Sequence, residues 1–180
     1  MLNKKFNINS VIKILQNKAQ KELIHEISDN KIITYSGFLK QSLEFCNFLQ
    51  HKKKLKPGDK IIIKLNNSSE YLISIFACFF GQFVACPVDK EIPNSKYHKI
   101  KKILNAKYEI NGLNKIKYTK KNYKKFIENK KNFLCLIIFT SGSTGEPKGI
   151  QIKFKQYLGS ALEFGKLAEY DDKTNIYHCL

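Results

Sequence analysis

Residues 133–149 read Phe133-Leu134-Cys135-Leu136-Ile137-Ile138-Phe139-Thr140-Ser141-Gly142-Ser143-Thr144-Gly145-Glu146-Pro147-Lys148-Gly149. The first seven are apolar without alternation, the pattern of a central strand buried on both faces of a sheet. That strand runs straight into a loop, residues 140–149, rich in Gly, Ser and Thr and carrying one lysine. Glycines let a backbone turn sharply and bring its N–H groups close to a ligand, and successive N–H groups form an anion-binding nest. Hydroxyls and an ammonium add further donors. Each hydrogen bond to a charged phosphate oxygen contributes roughly 1.5–3 kcal/mol, so three or four together hold a polyphosphate. A solvated Gly/Ser linker would need neither the apolar strand before it nor the Pro-Lys-Gly after it. A Walker A loop, Gly-x-x-x-x-Gly-Lys-Ser/Thr, also fails. Counted from Gly142, Pro147 stands where the second glycine should be, and Gly149 where a hydroxyl should meet magnesium.

Working outward, residues 60–65 and 83–88 read as strands joined by a helix from Ser68 or Ser69 to about Phe80. Strand, helix and strand with short joints make a parallel βαβ unit. Lys56-Pro57-Gly58-Asp59 is a turn, with Pro fixing φ and Gly free to take a positive one. Upstream, Asn9 or Ser10 caps a first helix with Val11, Ile12 and Leu15 on one face. Residues 22–27 and 31–34 form two short strands about a turn at Ser28-Asp29-Asn30. From Ser36 the period is helical, with Leu39, Leu43, Cys46 and Leu49 on one stripe. Pro93 and Ser95 open a helix carrying Tyr97, Ile100, Ile103 and Leu104 on one side. Residues 107–131 are lysine-rich, with a weak strand near 116–118 and a short helix near 123–127. Beyond the loop come a short strand at 150–152 and a helix at 154–168 with Tyr157, Leu158, Ala161, Leu162 and Gly165 inward. A further apolar strand starts at Asn175. The fold class is α/β, a mostly parallel sheet flanked by helices.

Composition narrows the function. The net charge is +17, and the 32 basic residues are all lysines. Such a charge favours polyanions through long-range fields, but base readout and bidentate phosphate recognition rely on Arg, which is absent. The lysines are also scattered, which argues against a nucleic-acid reader. Residues 71–88 are nearly continuous apolar sequence, yet Gly81-Gln82 interrupts the run and Pro87 closes it. A buried helix feeding a buried strand accounts for it better than a membrane span. Five cysteines without a C-x-x-C pair, and no secretory signal, point to free thiols in a reducing cytoplasm. The four histidines share no metal-ligand spacing.

The segment 139–149 resembles the signature of the adenylate-forming superfamily, Tyr/Phe-Thr-Ser-Gly-Ser/Thr-Thr-Gly-x-Pro-Lys-Gly, at every position. That superfamily includes acyl-CoA synthetases, nonribosomal peptide synthetase adenylation domains and luciferases. Further stretches agree in order and spacing. Thr34-Tyr35 resembles the family's "TY" segment, Leu55-Lys56-Pro57-Gly58-Asp59-Lys60-Ile61 its "vkpGDrV", Asn66-Asn67-Ser68-Ser69-Glu70 its "pNspe", and residues 81–89 with Pro93 its "aGavyvPlDp..P". The resemblance implies ATP-dependent activation of a carboxylic acid as an acyl-adenylate, followed by transfer to coenzyme A or a carrier-protein thiol. It implies that Thr140, Ser141, Gly142, Ser143, Thr144 and Gly145 contact phosphate and that Lys148 anchors the loop or adds charge.

In such enzymes the adenine, ribose and Mg2+ ligands and the catalytic lysine come later in the chain. Residues 1–180 therefore correspond to an N-terminal part of the large domain, with its catalytic groups expected beyond Leu180, and are expected not to adenylate alone. Lys153-Phe154 stands where many relatives carry Thr-His or a similar pair, which leaves the substrate class open. Two other readings stay open: a nucleotide-binding remnant without chemistry, and a basic module that binds polyanions.

Overall fold

The computed structural model describes residues 7–113, 132–141, 146–171 and 173–176. Helix α1 (Ile8–Asn17) starts two to three residues earlier than a cap at Asn9 or Ser10 would give. Its cap is Asn7, whose Oδ1 accepts from the Ser10 N–H at 3.2 Å while Ser10 Oγ accepts from the Asn7 N–H at 3.3 Å. Ser10 thus closes a reciprocal capping box from inside the helix rather than capping it.

Strands β1 (Glu22–Glu26) and β2 (Lys31–Thr34) form an antiparallel ribbon. A 3-10 turn at Ile27–Asp29 and Asn30, in the left-handed region at φ 47°, join them. Helix α2 (Tyr35–His51) begins where Thr34 Oγ1 accepts from the Gly37 N–H at 3.1 Å. The Thr-Tyr pair is thus a strand end and an N-cap in one.

The main sheet has the order β5-β3-β4-β6-β7, built from β3 (Lys60–Ile63), β4 (Val84–Pro87), β5 (Tyr108–Ile110), β6 (Leu134–Ser141) and β7 (Pro147–Lys153). The first four are mutually parallel and β7 runs antiparallel to β6. Helix α3 (Ser69–Gly81) connects β3 to β4 and is capped by Ser68, whose Oγ accepts from the Tyr71 N–H at 3.2 Å. The long apolar run is therefore a buried helix plus a buried strand. Among the described residues no helix is long and apolar enough to cross a membrane. Helix α4 (Asn94–Leu104) leads from β4 to β5, and α5 (Phe154–Leu167) follows β7.

The turn before β3 works as its residues dictate. Gly58 sits at φ 89°, and Asp59 Oδ2 accepts from the Lys56 N–H at 2.8 Å. The Asp59 carbonyl then accepts from the Val84 N–H at 2.9 Å, fixing the start of β4 beside β3.

Two apolar layers enclose the sheet. The larger gathers α1, α2, α3 and the start of α5 around Phe45, Leu49, Ile61, Ile63, Phe79 and Phe80. The smaller packs α4 through Tyr97, Ile100 and Leu104 onto Ile62, Val84, Cys86 and Ile137. β6 supplies side chains to both layers. A bulge between Leu134 and Leu136 puts Cys135 and Leu136 on the same, larger side, after which Ile137 and Phe139 face α4. One extra residue in one strand reverses the alternation beyond it.

Several sequence expectations change. β5 was not foreseen, since Tyr108-Glu109-Ile110 is short and lies in a lysine-rich stretch. β7 is longer than 150–152 because Pro147, Lys148 and Gly149 belong to it. Ala161 is exposed rather than inward, α5 being covered chiefly along its first turns at Phe154 and Gly159, and Ile103 is exposed although Tyr97, Ile100 and Leu104 of α4 are buried. Residues 174–176 form no strand, and 177–180 lie outside the described residues, as do the strand and helix expected near 116–118 and 123–127.

Candidate phosphate-binding hairpin

β3, β4 and β6 are parallel, so the starts of α3, α4 and the β6–β7 connection all lie at one end of the sheet, its carboxyl end. Ligands of open α/β sheets bind outside that end. Of the residues expected to meet phosphate, Gly142, Ser143, Thr144 and Gly145 lie outside the described residues. The described ones are Thr140 and Ser141 at the end of β6 and Lys148 in β7. The structure joins these strands by direct pairing: Ser141 opposite Pro147, Thr140 opposite Lys148, Phe139 opposite Gly149. Of the loop read from sequence as residues 140–149, residues 140–141 and 147–149 are therefore paired strand, the two arms of a hairpin.

The pairing decides which way each side chain points, because direct partners in an antiparallel pair share a face. Phe139 packs toward α4, and so does the α-carbon of Gly149. Thr140 and Lys148 therefore share the other face, and both are exposed there. Ile138 and Ile150 continue that face, half-exposed, toward buried Leu136 and partly buried Ile152.

Gly149 is favoured by tight space rather than by φ. A methyl at its Cα would stand 3.0 Å from Ile137 Cγ2. Pro147 is buried and Glu146, just before it, is exposed. Glu146 Oε1 accepts from Lys99 Nζ of α4 at 2.6 Å. Sequence reasoning missed this pair, since 47 residues separate its members and neither lies in a distinctive local pattern.

The neighbouring helix terminus is already engaged. Glu26 of β1 accepts from the Ser69 N–H at 2.5 Å and from the Ser69 hydroxyl at 2.8 Å, and Lys31 Nζ donates to Ser69 Oγ at 3.0 Å. Burial raises the Glu26 carboxyl, but the two Ser69 bonds and the Lys31 ammonium outweigh it and hold the group below its ordinary value. The positive end of α3 thus has an internal carboxylate partner. The start of α4, at the same end of the sheet, has no side-chain cap.

Among the described residues no group of three His, Cys, Asp or Glu could hold a metal ion. At the hairpin the donors are hydroxyl and ammonium groups, and the Glu146 carboxylate is already paired with a lysine. Such a donor set fits phosphate oxygens rather than a divalent cation. Cys46, Cys78, Cys86 and Cys135 are buried free thiols, an environment that disfavours the thiolate. Burial pushes Cys46, Cys86 and Cys135 up to about 12, and Cys78 is raised as well.

A family model described as AMP-binding enzyme matches residues 14–124 and 98–180. The chain belongs to the AMP-binding enzyme family. Within this adenylate-forming family its counterpart is the N-terminal portion, and the mixed sheet with flanking helices is that portion's fold. Malformin synthetase mlfA of Aspergillus niger is 25% identical over 165 residues, covering 82% of this chain and 3% of that protein. Acetyl-coenzyme A synthetase of Leptospira biflexa is 25% identical over 205 residues, covering 84% of this chain and 31% of that protein. Among solved structures, the N-terminal subdomain of Klebsiella oxytoca NpsA bound to 3-hydroxyanthranilyl-AMSN superposes with a TM-score of 0.65 at 26% identity. It covers 81% of this chain and 39% of that one. The chain thus spans less than a third of the length of these two curated relatives.

Proposed function

We propose that this chain provides the polyphosphate-binding part of an enzyme that activates a carboxylic acid as an acyl-adenylate. The observation that carries the reading is the β6–β7 hairpin. Its paired strands carry the two ends of the 139–149 signature, residues 139–141 and 147–149, at the carboxyl end of the parallel strands, in a chain of the AMP-binding family. In this reading Thr140, Ser141, Gly142, Ser143, Thr144 and Gly145 contact the β- and γ-phosphates of ATP. Lys148 adds positive charge from the exposed face of β7. Residues 1–180 are then an N-terminal part of the adenylation domain.

The chemistry fits the donors. The nucleophile is a carboxylate already ionised at pH 7, so its attack on the α-phosphorus needs no general base. The obstacle is the approach of anions, which oriented N–H groups, hydroxyls and an ammonium relieve by stabilising the departing pyrophosphate. Mg2+, when bound, neutralises phosphate charge, with ligands coming mainly from outside this chain. The acyl group then passes to the thiol of coenzyme A or of a carrier protein. The setting is a reducing cytoplasm, which the buried free thiols Cys46, Cys78, Cys86 and Cys135 suit.

Trypsin tests the reading directly, because the Lys148–Gly149 bond lies in the hairpin. ATP should slow cleavage there in the purified chain, while an equal concentration of adenosine should not. Cleavage indifferent to millimolar ATP would overturn the phosphate assignment. For the activity itself, acid-dependent pyrophosphate exchange is the readout in an enzyme that contains this chain. The 180 residues alone should show none.

A further inference from the structure

Helix α4 carries lysines with different partners. Lys101 pairs with Glu109 of β5 at 3.1 Å, toward one edge of the sheet. Lys99 pairs with Glu146 at 2.6 Å, at the opening of the hairpin. Glu146 immediately precedes Pro147, which is paired with Ser141, so the Lys99 ammonium reaches the point where the described hairpin strands end. α4 packs beneath the sheet face to which Gly149 and Phe139 turn, whereas Lys148 stands on the opposite face. The hairpin is flanked by one lysine from each side.

The Lys99–Glu146 pair is a poor strut. Its side chains are 53% and 62% exposed. Ion pairs so open to water are screened and contribute little to stability. The same weakness makes the pair easy to exchange. A polyphosphate carries several negative charges against the single one of Glu146, and it would sit within the reach that the Lys99 side chain already has.

We propose that Lys99 is a second cation of the polyphosphate site, held by Glu146 while the site is empty and transferred to phosphate oxygen when it fills. Glu146 is then a competitor for Lys99 rather than a ligand of the nucleotide. This assignment rests on the phosphate reading of the hairpin given above.

The test is calorimetric titration of inorganic tripolyphosphate into the full chain and four variants. Lys99→Ala should weaken binding about five- to tenfold, the loss of one exposed charged contact. Glu146→Gln should strengthen it about two- to fivefold, because it frees the lysine. In the Lys99→Ala background the Glu146→Gln gain should shrink, since part of it acts through Lys99. Both side chains are exposed, so the variants should fold, and matching thermal melts check that they do. Unchanged binding in Lys99→Ala would overturn the assignment, as would weakened binding in Glu146→Gln, the mark of a strut. Lys148→Ala serves as the control for the hairpin reading. If tripolyphosphate does not bind the wild-type chain, that reading falls and this one with it. If it binds and only Lys148→Ala weakens it, the hairpin reading stands and the role of Lys99 is lost.

Discussion

Gly149 lies directly opposite Phe139 across the β6–β7 pair, with its α-carbon against the side chains beneath it. A methyl there would meet Ile137 Cγ2 at 3.0 Å and two carbons of the Phe139 ring at 3.4 Å. Ile137 is 5% exposed and packed among Val84, Cys86 and the α4 side chains, so it has little room to yield. Gly149→Ala should therefore lower stability by about 1 kcal/mol, the low end of the overpacking range. Gly149→Val should cost more. Urea denaturation reads both, and an unchanged midpoint for Gly149→Ala would mean that Ile137 shifts freely.

Glu26 ties the β1–β2 ribbon to the start of α3, and this tie is sensitive to acid. Its carboxyl is held below the ordinary value of 4.5, burial being outweighed by the Ser69 bonds and Lys31. A depressed carboxyl stabilises the fold fully above its unfolded value, and the contribution is lost as pH falls through the folded one. Glu26→Gln should cost about 2 kcal/mol at pH 7, the value of hydrogen bonds to a charged group. The gap between variant and wild type should close as the pH falls below 4.5 and through the depressed folded-state value. Melting temperatures across that range decide it. A gap independent of pH would show that the ionised state of Glu26 does not matter.

Two caps make a third expectation. Thr34 Oγ1 and Ser68 Oγ each accept the N–H of the third residue on, opening α2 and α3. Thr34→Ala and Ser68→Ala should each cost about 1 kcal/mol, and glycine at either site only a few tenths. Denaturant midpoints for the four variants test the ranking. Glycine as costly as alanine would point to lost methyl packing or a second hydroxyl role instead.

What the sequence made legible follows from the range over which its signals act. The cap at Ser68, the Gly58 turn and the 133–139 strand are set by a few adjacent residues, and all were readable; Thr34 was read only as a strand end, its capping role being hidden by the strand it closes. The antiparallel extension of β7 was not. A proline and a glycine look like loop residues, yet here Pro147 begins the strand and Gly149 faces a crowded neighbour. The Cys135 bulge escaped because an unbroken apolar run hides any slip in alternation. The signature pointed to the hairpin, whereas Lys99 and Glu26 reach it or its surroundings from 47 and 43 residues away. Such contacts depend on the strand order β5-β3-β4-β6-β7, which places α4 beneath β7, and no local pattern encodes that order.

The exposed position of Lys148 separates its role in binding from any role in folding. It lies on the face of β7 opposite α4, beside Thr140 on the neighbouring strand, and no core side chain depends on it. Lys148→Ala should shift stability by no more than about 0.5 kcal/mol, as surface substitutions generally do. ATP binding to the chain should fall about tenfold, the loss of one charged hydrogen bond. In an enzyme that contains this chain, acid-dependent pyrophosphate exchange should fall with it. Calorimetric titration with ATP and a thermal melt of the same preparation separate the alternatives. Wild-type affinity in the variant would remove Lys148 from the phosphate site. A collapsed melt would make it a structural residue of the hairpin, with the positive charge that the polyphosphate meets coming from elsewhere.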